Sequence, residues 1–485
     1  MNKRRIALLL LLSVLTSATT SCSGDATDPV TDTSSSEPAQ TETTAPAYEY
    51  PAYDGEGDEF VILTPEPTYG FYTTLDTESE VGEALDDTVF RRNRGIEERF
   101  NIEFRIVEEH FDKVHTTYRT SIEAGDHEFD IGFIRSDLMS SFISNRFVYN
   151  LLDYDEFRLD EPYYDQNVNA AARQIDSSTQ LFASTYTNLI GVDGLVCTFF
   201  NESMLDKLGM DTPYQLVRDG KWTLAVFGQY MKAGANLNGD DSFTWNDNGK
   251  ATYGMATWAT AFQALLTSCD VSLISFDDGA PSFGANERFY NVLDKIETVM
   301  KEDGFAITGQ GTRKSTMNYE LIFQNGRSLM LIAELKASSK YRDMDDTYGI
   351  VPLPKYDEKQ KEYYTFRTSV EPLLTVPITH PDPASAGIIM DAMAYESYAN
   401  VLPVYYEYRM NQKQLRNDES IEMLEMMRTT MIYDIGMTLG WTTDLMYKLR
   451  TLAATMDGGY SSTIASYESK IDAAIEKTMT TLNQK

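Results

Sequence analysis

Cysteine, histidine and positive charge are all scarce in this chain of 485 residues. Three cysteines cannot build a disulfide framework. The four histidines (His110, His115, His127 and His380) stand apart from any cysteine pair, and no C-x-x-C or H-E-x-x-H spacing occurs. A histidine-based catalytic metal is therefore not expected, although a carboxylate-only site stays open. Lys and Arg number 41 against 74 Asp and Glu, a formal charge of -33. Nucleic acid needs a clustered basic face, so it is excluded as a partner, and adhesion to anionic lipid by charge is disfavoured. No repeat of fixed period is visible. What is present is core-forming material: hydrophobic residues make up 42% and aromatics 12%, enough for two or three domains.

The first residues carry an address. Lys3, Arg4 and Arg5 precede an apolar run from Ile6 to Leu15. That run is short of the about 20 residues a spanning helix needs, and it has the shape of a secretory signal. Thr19, Thr20 and Ser21 then lead into Cys22. The pattern resembles a bacterial lipobox with Thr19 in the usual leucine position. It predicts a signal peptide over residues 1–21, lipidation of Cys22, and a protein held on the extracellular face of the cell membrane. The alternative is an ordinary cleaved signal with Cys22 incidental. Ser, Thr, Asp, Pro and Ala dominate residues 23–48, so a flexible linker is expected over 22–57. Cys197 and Cys269 would remain after processing, either bridged or as buried thiols.

Glu59–Thr64 reads as a buried strand and residues 83–100 as a helix, with Leu85, Val89, Ile96 and Phe100 on one face. Asn101 ends that helix. Ile102, Phe104 and Ile106 then alternate with charged residues as a strand. A helix over 112–124 closes at Gly125, and Phe129–Ile134 is a third strand. Strand, helix, strand, helix, strand in so short a span predicts a parallel sheet covered by helices, with ligands beyond the carboxyl ends of the strands. Those ends are Pro65–Gly70 and Arg135–Ser140. No G-x-G-x-x-G follows the first strand, so no dinucleotide cofactor is expected. Further strands are read at Gly194–Phe200, within Phe323–Ala333, at Tyr348–Lys355 and at Glu371–Ile378. Helices are read over 286–302 and, after Pro383, over 383–399, 418–433 and 461–482.

Five segments occur in a telling order: Ala124-Gly-Asp-His-Glu-Phe-Asp-Ile131, Phe200-Asn-Glu-Ser-Met-Leu-Asp-Lys-Leu-Gly209, Gly220-Lys-Trp-Thr223, Phe323-Gln-Asn-Gly-Arg327 and Tyr348-Gly-Ile-Val-Pro-Leu-Pro354. Together, behind a lipoprotein signal, they resemble extracellular solute-binding lipoproteins of ABC importers, of the carbohydrate-binding family 1 type. The resemblance implies a periplasmic-binding-protein-like α/β fold: two α/β lobes, a hinge, an interlobe cleft and a helical C-terminal part. The lobes are expected over 58–190 plus about 325–375, and over about 191–324 plus 376–485. It also implies a monomer that captures a sugar or oligosaccharide, passes it to permease subunits, and does no chemistry and needs no cofactor.

Sugar sites combine aromatic faces with carboxylate, amide or guanidinium groups. Glu66 and Tyr69 follow the first strand; a solvated loop is their rival reading. Arg135, Ser136 and Asp137 follow the third strand, where helix capping is the rival. Trp258 follows Tyr253-Gly-Met-Ala-Thr257, where the resemblance implies a stacking aromatic. Trp441 sits at a glycine-marked break. Core packing competes for both tryptophans. Glu334 and Arg367 flank apolar strands and could reach the cleft, with a mutual or surface ion pair as the alternative. In the polar loop 236–249, Asn236, Asn238, Asp240, Ser242 and Asp247 are spaced like calcium ligands. The loop lacks an EF-hand pattern, so a hydrated turn competes. A surface glycoside hydrolase using an Asp/Glu pair, or a helical-repeat glycan-capture lipoprotein, are the other functions weighed.

Overall fold

The computed structural model describes residues 48–483 except 69, 278, 303, 305, 309–317 and 411–417. The strands, in chain order, are β1 (Asp58–Pro65), β2 (Ile102–Glu109), β3 (Ile131–Arg135), β4 (Val196–Asn201), β5 (Tyr253–Thr257), β6 (Ile274–Asp277), β7 (Ala280–Phe283), β8 (Ala306–Thr308), β9 (Ser328–Glu334), β10 (Tyr348–Val351), β11 (Thr365–Phe366), β12 (Pro372–Thr375) and β13 (Met431–Ile432). Among the described residues two main sheets form, in the orders β12-β3-β1-β2 and β10-β4-β9-β5-β8.

The predicted strand–helix alternation is present. β1 runs parallel to β2 and β3, with Ile62 opposite both Ile106 and Ile131. Helix α1 (Ala84–Phe100) stops at Asn101, whose left-handed φ of 50° turns its N–H onto the Glu97 carbonyl. Helix α2 (Val114–Ala124) stops at left-handed Gly125. Alternate residues of β1 enter different cores, as a period of two requires. Phe60 and Ile62 join Phe104, Phe133 and, from the helix Pro383–Glu396, Met390 and Met393. Val61 and Leu63 face Val114 and Tyr118 in a core that continues into the second sheet.

β12 closes the first sheet antiparallel to β3. β9 and β10 pair instead with β4, in the second sheet. The grouping of 325–375 with the first lobe is thereby corrected: hydrogen bonding assigns 328–351 to the second lobe. The helix Pro383–Glu396, expected in the second lobe, packs on the first. Two apolar runs of similar composition fit either sheet, and only pairing chooses between them.

The expected linker is also shorter than 22–57. Residues 1–47, including Cys22, lie outside the described residues, but Tyr48, Tyr50 and Tyr53 pack on the first core. Tyr48 stacks on Tyr395 at 4.4 Å and donates to Asp391 at 3.0 Å. Three tyrosines in an otherwise polar stretch provide apolar area worth burying.

Two segments cross between the sheets side by side. Leu195 bridges Arg367, and Thr368 donates to the Gly194 carbonyl at 2.9 Å. Gly191 lies against this crossing. A Cβ there would fall 2.2 Å from the Arg367 guanidinium, so only glycine permits the approach. Cys197 and Cys269 are free and buried, so the bridge that the sequence left open does not form.

Candidate functional site

The site is built from strand ends. β5 and β9 run parallel with Ala256 opposite Leu331, so Trp258 and Glu334 leave the second sheet at the same end. Arg135 and Asp137 leave β3 at its carboxyl end in the first sheet. Arg450 lies within electrostatic reach of both Asp137 and Glu334 and so links the two groups.

On the second-lobe side, Trp258 stacks on Tyr319 with centroids 5.4 Å apart and planes 9° from parallel. Glu334 binds Lys336 at 2.7 Å. The Lys336 ammonium lies 3.3 Å from the centre of the Phe71 ring, which belongs to the loop after β1. Burial pushes the Glu334 carboxyl above its ordinary range, while Lys336 and Thr368 pull it back. Burial also raises the Tyr319 hydroxyl, helped by the nearby charges of Glu320 and Glu334.

On the first-lobe side, Arg135 donates to Asp137 at 3.1 and 2.9 Å, pairs with Asp112 and lies over the Phe111 ring. The Tyr447 hydroxyl reaches Asp137 at 2.9 Å from the helix Thr443–Thr455. Arg450, one turn further along that helix, donates to Gln263 and, at 3.3 Å, to Ser369. Its guanidinium is pushed down by burial and held up by Tyr447, Asp434, Asp137 and Glu334. The chain of contacts thus runs from Arg135 through Asp137, Tyr447 and Arg450 towards Glu334. Phe71, Phe111 and Ile190 form an apolar patch beside it.

Arg135, Asp137, Trp258 and Glu334 lie at strand ends near one another, and Trp258 also belongs to the main core, 8% exposed. Glu66 is at the rim, its side chain 44% exposed and 4.0 Å from the His110 ring. Tyr69 lies outside the described residues. Arg367 is elsewhere: it pairs with Asp165 and Glu371 and donates to Ser184 at 2.9 Å, a buried cluster at the lobe crossing. An arginine beside an apolar strand looks the same whether it faces a cleft or a buried carboxylate. Trp441 is core, 3% exposed, with its indole N–H on Thr478 at 3.0 Å. The break that marked it is a turn between two packed helices.

In the polar loop 236–249, Asp240 accepts the N–H groups of Lys250 and Ala251 at 2.7 and 2.8 Å, Asn236 accepts that of Asn238, and Asp247 accepts the Trp245 indole. Asn238 donates its amide to the Lys250 carbonyl. These bonds within the loop are those of a hydrated turn.

Sequence reasoning missed Tyr319, Lys336, Tyr447 and Arg450. Only Lys336 had a signal, two residues after a strand-ending glutamate. The others lie in helices where their spacing matches ordinary surface positions.

A cavity of about 410 Å³ is lined in part by Gln263, Asp270, Ile274, Asp434 and Met446. The strand-end groups combine a flat aromatic pair with hydrogen-bonding side chains contributed by both sheets. Aromatic faces cover apolar C–H surface, and bidentate groups take vicinal hydroxyls. Among the described residues at these strand ends no three His, Cys, Asp or Glu side chains converge for a metal.

No protein-family model matches this chain, and no curated protein matches it. Solved structures do. An ABC substrate-binding protein from Listeria monocytogenes in complex with cycloalternan aligns with TM-score 0.57 at 14% identity, over 87% of this chain and 99% of that one. A sugar transporter from Rhizobium etli in an open conformation aligns with TM-score 0.60 at 13% identity, over 86% and 99%. The maltose/maltodextrin-binding domain from Bdellovibrio bacteriovorus bound to maltotriose aligns with TM-score 0.51 at 12% identity, over 88% and 99%.

Proposed function

Starting from a chain that has the α/β fold of these sugar-binding proteins of ABC importers, we propose that it is the solute-binding subunit of such an importer, capturing a sugar or oligosaccharide between its lobes. The observation that supports this reading is the presence at the strand ends of the Trp258–Tyr319 stack, the Arg135–Asp137 pair and the Glu334–Lys336 pair. The aromatic pair offers a platform for a pyranose face. The charged groups can exchange their mutual bonds for ligand hydroxyls. Closure then depends on a ligand that touches both lobes, since only differential affinity for the closed form shifts the balance. In this reading the protein alters no covalent bond and works as a monomer. It is lipidated at Cys22, stands on the outer face of the cell membrane and delivers its cargo to permease subunits.

Isothermal titration with maltotriose, cyclic glucans and a wider oligosaccharide panel tests the proposal, with small-angle scattering to follow compaction. Saturable binding with a smaller radius of gyration is expected. Silence across the panel, or appearance of hydrolysis products, would overturn it.

A further inference from the structure

At the opposite end of the first sheet from the cleft, three side chains from distant parts of the chain converge. His127 lies in the turn between α2 and β3, Asp130 immediately precedes β3, and His380 follows β12, the antiparallel neighbour of β3. The His127 Nε2 and the His380 Nε2 each lie 2.9 Å from Asp130 Oδ1. All three ligand atoms lie within 4.8 Å of one another. We propose that His127, Asp130 and His380 bind a divalent transition-metal ion of the zinc class.

Burial of the cluster adds to the convergence. His380 is only 4% exposed, and its Nε2 is held by Asp130 Oδ1 at 2.9 Å. Around it, the groups that would orient the ligands are in place. Asp130 Oδ2 accepts the Val61 N–H at 2.6 Å, which turns Oδ1 towards the two rings. A ligating carboxylate held by such an outer contact is usual at metal sites.

The donor set selects the ion. Two imidazoles and one carboxylate suit Zn²⁺, Ni²⁺ or Cu²⁺ over the oxygen-seeking Ca²⁺ and Mg²⁺. Tetrahedral Zn²⁺ with bonds near 2.1 Å places its ligand atoms about 3.4 Å apart. The 2.9 Å contacts are close to that, and the His127 side chain, 39% exposed, has room to adjust. Its exposure also leaves a fourth position open to water. The Asp382 N–H donates to His380 Nδ1 at 3.0 Å, so the neutral ring carries its proton on Nε2; an ion on Nε2 needs that proton moved to Nδ1, and this contact must open on loading. The ion would join the turn before β3 to the segment after β12.

Titration of the metal-free mature chain with ZnCl₂ tests the assignment. One Zn²⁺ per chain, a raised Tm that EDTA reverses, and visible absorption from Co²⁺ in the same site are expected. The substitution His127→Gln alters a half-exposed ring, so the variant should fold as the parent does, yet lose at least tenfold in Zn²⁺ affinity. His110→Gln, at an exposed histidine by the cleft, should keep it. His380→Gln alters a buried position, so the comparison rests on His127→Gln. Equal uptake by the parent and His127→Gln, or no uptake at hundredfold excess of Zn²⁺, would overturn the proposal. Oligosaccharide titration of the same variants reads the cleft separately, so the two proposals fail independently.

Discussion

The Tyr447 hydroxyl donates to Asp137 at 2.9 Å, joining a helix near the C-terminus to the carboxyl end of β3, 310 residues earlier in the chain. Asp137 is buried and also holds Arg135, so this one carboxylate links the first lobe to the helix that carries Arg450.

Tyr447→Phe removes that bond and leaves the ring in place. A single neutral-to-charged hydrogen bond contributes about 1.5–3 kcal/mol. Partial exposure of the tyrosine places the expected loss at the lower end. Urea unfolding should show it as a lower midpoint with an unchanged slope.

Trp258→Ala should abolish the platform and lower stability, because Trp258 is buried in the main core and such a truncation costs about 3–5 kcal/mol. Tyr319 also loses its stacking partner. In the folded variant sugar affinity should fall at least tenfold by calorimetry. Retained affinity would move the binding site away from β5.

Arg367→Met addresses the crossing. It leaves Asp165 and Glu371 facing each other in a buried site without their cation. Breaking one partner of a buried network costs about 3–5 kcal/mol. Chemical denaturation measures that, and the double variant with Glu371→Gln should recover part of it.

The sign of one pH effect follows from Glu334. Its carboxyl is raised by burial above the ordinary 4.5. The folded chain therefore holds this proton where the unfolded chain has released it. Its contribution to stability is full below the unfolded value and is lost as pH rises through the folded value. Melting temperatures of the parent and Glu334→Gln, followed from pH about 4 to 7, should separate progressively as pH rises and differ most above the folded value. Parallel curves would argue against a buried, raised carboxyl.

Cys22→Ser should move the protein from the membrane fraction to the medium when the full chain is expressed in a bacterial host that lipidates such signals. Fractionation with blotting reads the outcome, and unchanged membrane retention would remove the lipid anchor from the proposal.

Much of the first lobe was legible in the chain. A strand that alternates at Ile102, Phe104 and Ile106, and a helix that repeats at Leu85, Val89, Ile96 and Phe100, can satisfy their backbones and bury one face in only one way each. Strand ends are also where ligands are expected in such sheets, which is why Arg135, Asp137, Trp258 and Glu334 could be read from the chain as candidates. Pairing was not legible. β9 and β12 are both apolar runs, and nothing local says that one joins β4 and the other β3. Tryptophan in a polar turn and tryptophan in a helix junction look alike too, so Trp441 could not be told from Trp258.

Local periodicity thus determined the elements, because backbone hydrogen bonding and side-chain alternation act within a few residues. Tertiary structure alone decided which side chains share a site, because Asp137 and Tyr447, or His127 and His380, meet only when distant segments are brought together by core burial. That burial is non-directional and additive over the whole chain, and it leaves no mark in the spacing of the residues it unites.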